Sequence, residues 1–260
     1  MARLRDPECG CPWDIKQDFS SLIPYLIEEA YEVVDAIERK NLQDLQEELG
    51  DLLLQVVFHS QIAQEQNLFD FEAVAGSICD KLTRRHPHVF SDIRYDNDEQ
   101  RTLAWEAAKA DERSSKNGDS RPPSVLDGII NSLPALMQAE KIQNRVSRHG
   151  FDWPEVAPVF AKVEEELDEV REAFESGNAK DIREEIGDLL FVVVNLARHL
   201  NVEPETALKQ GNRKFKSRFH FIEQKVSQAG RKLKDCELAE LDALWDEAKV
   251  SKNRSDGIRN

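Results

Sequence analysis

Among 260 residues there are four cysteines, two methionines and six histidines. No stretch reaches the roughly 18 apolar residues that a membrane span requires. The opening MARLRDPECG has no apolar segment of the kind that drives secretion. A cytoplasmic protein is expected, with Cys9, Cys11, Cys79 and Cys236 as reduced thiols. Cys9-x-Cys11 has no second ligand pair at zinc spacing, so no zinc site is expected. Basic residues are also short, with 35 Lys plus Arg against 50 Asp plus Glu and a net charge of −15. That balance argues against long nucleic acid, whose phosphates repel an acidic surface. No run alternates with period two long enough for a sheet, and β-branched residues dominate nowhere.

What is present is helical patterning in two blocks. Residues 111–124 (DERSSKNGDSRPPS) contain no apolar side chain and carry a Pro-Pro pair, which marks a linker. The predicted organisation is a domain over 1–112, a linker over 113–124 and a domain over 125–260. The two blocks are related. EEAYEVVDAIERKNLQDLQEELGDLLLQVV (28–57) aligns without a gap at offset 137 with EELDEVREAFESGNAKDIREEIGDLLFVVV, and 16 of the 30 positions are identical. Lys81 and Arg85 match Lys214 and Arg218 at offset 133, Trp105 matches Trp245 at offset 140, and GCPWD faces GFDWP.

Apolar spacing predicts helices in the first copy at about 20–40, 44–64, 71–85 and 98–113, with Ser20 or Ser21 as the first cap and Asn41 as its stop. The second copy predicts them at about 155–176, 181–200, 204–228 and 238–250. It adds a leading helix at 133–148 closed by Gly150. The first copy has only MARLRDPECG at that place, so its leading helix is expected to be missing or cut short, with a natural start upstream of Met1. The fold class is therefore all-α, two tandem repeated helical bundles.

Each copy carries E-E-x-x-E, fifteen residues, then E-x-x-D. Glu29 and Glu32 share one helical face, Glu48 and Asp51 share a face of the next helix, and Glu166, Glu169, Glu185 and Asp188 repeat the pattern. A short turn makes the helices antiparallel neighbours, so the pairs can point at each other. Most Glu-rich helices simply present a solvated acidic face. Here the quartet recurs at identical spacing while neighbours such as Tyr31/Asp168 diverged, and Asp51 and Asp188 abut the apolar runs LLLQVVF and LLFVVV, where unpaired charge is costly. Gly50 and Gly187 sit inside these helices and suggest a close helix approach. Four carboxylates suit Mg²⁺, with Mn²⁺ fitting the same oxygens. A di-iron bundle requires Glu-x-x-His, and no histidine has a Glu three residues before it.

These motifs resemble the MazG nucleoside triphosphate pyrophosphohydrolases, members of the all-α NTP pyrophosphatase superfamily. GCPWD, RRHPHVF, SLPALMQAEKIQ and GFDW extend the resemblance over nearly the whole chain. It implies Mg²⁺-dependent hydrolysis of an NTP or dNTP to the monophosphate and diphosphate, with broad base tolerance, in a homodimer. Carried onto this sequence, it makes Glu166, Glu169, Glu185 and Asp188 the working metal ligands, with Glu29, Glu32, Glu48 and Asp51 as the second set. Glu165 is the spare carboxylate that can take a proton from water. Lys162, Lys214 and Arg218 are phosphate contacts, repeated as Lys81 and Arg85, and Trp245 is a stacking surface for the base. The second copy keeps Lys162 where the first has Tyr25, which favours the C-terminal copy as main catalyst. Competing readings are a nucleotide-sensing or protein-binding module, and a nuclease or cyclic-nucleotide phosphodiesterase.

Overall fold

The computed structural model describes residues 1–116 and 124–256. Among them the protein is all-α with no strand. The chain divides into two compact units, Met1–Gly118 and Asp119–Asn260. Most of the expected linker falls on 117–123, outside the described residues.

The first unit contains α1 (Pro12–Lys16), α2 (Ile23–Arg39), α3 (Leu42–Glu65), α4 (Phe71–Arg85), the short α5 (Pro87–Phe90) and α6 (Asp98–Lys116). The second contains α7 (Ala135–Ser147), α8 (Ala157–Ser176), α9 (Ala179–His199), α10 (Pro204–Gln228), a 3₁₀ turn (Leu233–Asp235) and α11 (Leu238–Asp256). In each unit the dominant packing is one antiparallel pair, α2 on α3 and α8 on α9.

Two-residue hinges set those pairs. α2 ends where Lys40 adopts a left-handed conformation (φ 56°), and α8 ends at Gly177 (φ 71°), where glycine meets no Cβ penalty. The next residue caps the following helix. The Asn41 side chain accepts from the amides of Gln43 and Asp44, and Asn178 accepts from the amide of Lys180. Each such cap contributes about 1 kcal/mol. Asn41 is therefore a start signal for α3 as much as a stop for α2, and α3 begins at Leu42 rather than near Asp44.

Two further expectations are corrected. Neither Ser20 nor Ser21 caps α2: Leu22 holds that position without a side-chain bond. The Ser21 hydroxyl is engaged instead with Asp18, whose carboxylate accepts the Ser21 amide at 2.8 Å while the Asp18 amide donates to Ser21 Oγ at 2.8 Å. Nor do Gly50 and Gly187 mark a close helix approach, because a Cβ at either would meet nothing within 4 Å.

The leading segments of the two units differ. In the second unit α7 packs on α9. In the first, turns and α1 fill that role, held by Arg5, which donates to Glu65 and to the carbonyls of Asp14 and Gln17. Leu22, Phe58 and Ile62 form a buried cluster there with Met1 and Phe19 against it.

Candidate active site

The α8–α9 pair brings Glu166, Glu185 and Asp188 together, with one oxygen of each lying within 4.8 Å of the others. Glu166 is 5% exposed. Its Oε1 accepts from Lys162 Nζ at 2.7 Å, and the same ammonium reaches Glu165 Oε1 at 2.8 Å. These two carboxylates hold the Lys162 ammonium well above its usual pKa. Burial, and then Asp188 and Glu166, raise the Glu185 carboxyl; burial, and then Glu166, raise Glu169. Glu169 thus stands within electrostatic reach of the cluster.

Glu166 Oε2 is buried and has no hydrogen-bond partner. A carboxylate oxygen in that position is costly until a cation or donor completes it. One lysine does not neutralise four carboxylates, and an all-oxygen donor set suits a hard divalent cation. The residues present fit Mg²⁺ or Mn²⁺.

The α2–α3 pair repeats the arrangement with Glu29, Glu48 and Asp51, again within 4.8 Å of one another. Burial, then Asp51 and Glu32, raise the Glu29 carboxyl; burial, then Glu32 and Asp51, raise Glu48.

Beside the α8–α9 cluster lies a cavity of about 330 Å³, in the size range of small-molecule sites. Lys162, Glu166 and Asp188 form its charged wall, and Phe151, Trp153 and Phe191 supply apolar surface. Gln143 and Asn195 add two buried amides. Arg198 braces this wall, donating to Asn195 Oδ1 and, at 2.5 Å, to Asp152 Oδ1. Burial raises the Asp152 carboxyl, but the bonds from Arg198 and His199 outweigh it and hold the group below its usual range.

The remaining expected contacts lie elsewhere. Trp245, expected as the base-stacking ring, does not line this cavity; it packs on Phe215 with centroids 5.0 Å apart and beneath the Arg218 guanidinium at 5.4 Å. Lys214 is exposed, and Arg218 Nε is buried without a partner. In the first unit Arg85 is tied to Glu112 at 2.5 Å, Arg84 shares that carboxylate, and Lys109 sits over Trp105. Those two guanidiniums hold the Glu112 pKa down at about 2.

Sequence reasoning missed Gln143, Phe151, Trp153 and Asn195 as site residues. Asn195 carries a detectable signal, because it follows Asp188 by seven residues and so shares its helical face.

The MazG nucleotide pyrophosphohydrolase domain matches the chain twice, at residues 17–90 and 157–220. The chain is 48% identical over 253 residues to a nucleoside triphosphate pyrophosphohydrolase of Escherichia coli (strain K12), covering 96% of this chain and 94% of that protein. This chain belongs to the MazG family. It is also 47% identical over 250 residues to the nucleoside triphosphate pyrophosphohydrolase/pyrophosphatase MazG of Thermotoga maritima, covering 96% and 92%. A Bacillus subtilis protein, YabN, is 41% identical over 256 residues, covering 98% of this chain and 51% of YabN. Both MazG matches include a complete carboxylate quartet. Gln143, Phe151, Trp153 and Trp245 fall outside them.

Proposed function

We propose that this MazG-family chain is a nucleoside triphosphate pyrophosphohydrolase that works mainly through its C-terminal domain and accepts NTPs or dNTPs with broad base tolerance. The observation that carries the reading is the carboxylate cluster of α8–α9 opening onto a cavity that offers apolar walls and two buried amides. Glu166, Glu169, Glu185 and Asp188 would hold Mg²⁺ or Mn²⁺, which when bound supplies neutralisation of the triphosphate and acidifies a water.

The protein's own groups divide the rest of the task. Glu165 is exposed on the same face and takes the proton of the water that attacks the α-phosphorus. A bond forms from that water oxygen to phosphorus, the α–β bridging bond breaks, and its electron pair leaves with diphosphate. Lys162, within reach of Glu165 and Glu166, contacts a phosphate oxygen, and Lys214 and Arg218 are kept as further phosphate contacts on the family resemblance alone. We assign base stacking to Trp153 and Phe151 in place of Trp245, whose ring is taken up by Phe215 and Arg218. Glu29, Glu32, Glu48 and Asp51 form a second metal-binding set, with Lys81 and Arg85 in the register of the phosphate contacts but Arg85 neutralised by Glu112.

We further assign the domains to 1–112 and 125–260 with a linker at 113–124, a cytoplasmic setting, and a homodimer. Support for the dimer comes from large apolar side chains left exposed on the carboxylate helices, among them Leu53 at 54% and Phe174 at 74%. No helix among the described residues is long and apolar enough to cross a membrane.

The test is product identity. Pure protein incubated with Mg²⁺ and a panel of NTPs and dNTPs, resolved by ion exchange, is expected to yield monophosphate and diphosphate. Nucleoside diphosphate with phosphate, or no turnover across the panel, overturns the reading and brings forward a nucleotide-sensing module.

A further inference from the structure

The cavity beside the carboxylates contains a polar atom that nothing in the protein satisfies. Gln143 is 4% exposed, and its Nε2 donates to the Phe191 carbonyl at 2.7 Å. That bond fixes the amide, because the flipped orientation would face two oxygens together. Gln143 Oε1 is left buried with no partner. Asn195, which also lines the cavity, is pinned in the opposite sense. Its Oδ1 accepts from Arg198 Nε at 3.0 Å and Nη2 at 2.8 Å, which leaves Nδ2 as the donor end. The cavity therefore offers one fixed acceptor and one fixed donor between aromatic walls.

We infer that Gln143 Oε1 reads the nucleobase by accepting one N–H from its pairing edge. The inference rests on the pyrophosphohydrolase reading above and adds a selection rule to it. Every natural base presents an N–H beside an acceptor on that edge: the amino group with N1 in adenine or N3 in cytosine, and the ring N–H with a carbonyl in guanine, uracil and thymine. A single acceptor satisfied by any of them gives broad tolerance without indifference. A base with no N–H at all leaves Gln143 Oε1 buried and unpaired in the complex, and that is the case the site rejects.

Purine riboside triphosphate is the discriminating probe, since it is ATP without the amino group and has no base N–H. Inosine triphosphate restores a donor as the ring N1–H. For the unmodified protein with Mg²⁺, kcat/KM for purine riboside triphosphate is expected to fall about 10- to 100-fold below ATP, with inosine triphosphate within a few-fold of ATP. In Gln143→Met, ATP is expected to fall to the level of purine riboside triphosphate, so that the difference between them closes. Equal rates for ATP and purine riboside triphosphate in the unmodified protein would overturn the inference while leaving the enzyme reading intact. So would a Gln143→Met protein of unchanged melting temperature that still discriminates. No hydrolysis of any nucleotide would remove the enzyme reading and this inference together.

Discussion

The two domains share their carboxylates and differ at several positions that surround them. At Asn195 of the second domain the first has Phe58, 3% exposed in its core. At Lys162 it has Tyr25, and in the register of Trp153 it has Trp13, whose ring meets Tyr25 edge-on at 5.6 Å and Phe58 at 6.5 Å. Arg5 closes the group from above, 5.4 Å from the Phe58 ring and bonded to Glu65. Where Arg218 has an unpartnered Nε, Arg85 is bound to Glu112. Side chains of the protein itself thus occupy in one domain the register that lines a cavity in the other. Under the function proposed above, both acidic motifs supply carboxylates that could hold a metal, while Phe191 and Asn195 on α9 and the segment before α8 would give a nucleoside room in the second domain.

The sharpest way to break this comparison is to remove matching carboxylates. Glu185→Ala with Asp188→Ala is expected to lower kcat/KM by at least about 10²–10³-fold. Glu48→Ala with Asp51→Ala should leave it within about twofold in a steady-state assay. If the second pair silences the enzyme, the division of labour is wrong.

Equivalent positions should also fail in different ways. Phe58→Ala is expected to destabilise the first domain by about 3–4 kcal/mol in denaturant unfolding while turnover per folded molecule holds. Asn195→Ala should instead raise KM about tenfold with a smaller loss of stability. Likewise Trp153→Ala is expected to raise KM about five- to tenfold through lost stacking, and Trp13→Ala to leave KM alone. A Trp13 change that moved KM would mean that the first domain contributes to the working site.

The smallest expected effect concerns pH. Glu112 has a folded pKa of about 2 against an ordinary 4.5. Its pairing therefore stabilises the first domain fully above about pH 4.5, and that contribution is lost as pH falls towards 2. The pair is partly solvated, so the contribution is about 1 kcal/mol. Glu112→Gln should be less stable than the parent at neutral pH and should converge with it near pH 2 in thermal melts.

Much of this was legible in the residues. Three-residue spacing placed both carboxylate sets on facing helices, and the apolar period located every long helix to within a few residues. The cavity was not legible, because Gln143, Trp153 and Asn195 come from α7, the segment after it and α9, and only packing brings them to one place. The contrast with the first domain was hidden for a related reason. Phe58 in an apolar run reads as ordinary core, and its significance appears only beside Asn195 in the same register. Ser21 misled because its hydroxyl had a competing local partner in the Asp18 backbone, accepting from its amide and donating to its carbonyl. Gly50 and Gly187 misled because glycine marks small bulk without saying what stands opposite.

The hinges at Lys40–Asn41 and Gly177–Asn178 carry one more consequence. Each turn is so short that the asparagine cap sets the rotational phase of the helix after it. One residue inserted between Gly177 and Asn178 would leave Glu166, Glu185 and Asp188 all present. It would also turn α9 by about 100° about its own axis if the helix kept its lateral position. Such a chain would keep its composition of ligands and its helix count, yet lose the bearing on which their convergence depends. In this fold deletions and insertions at two exposed turns are thus as dangerous as substitutions in the centre itself.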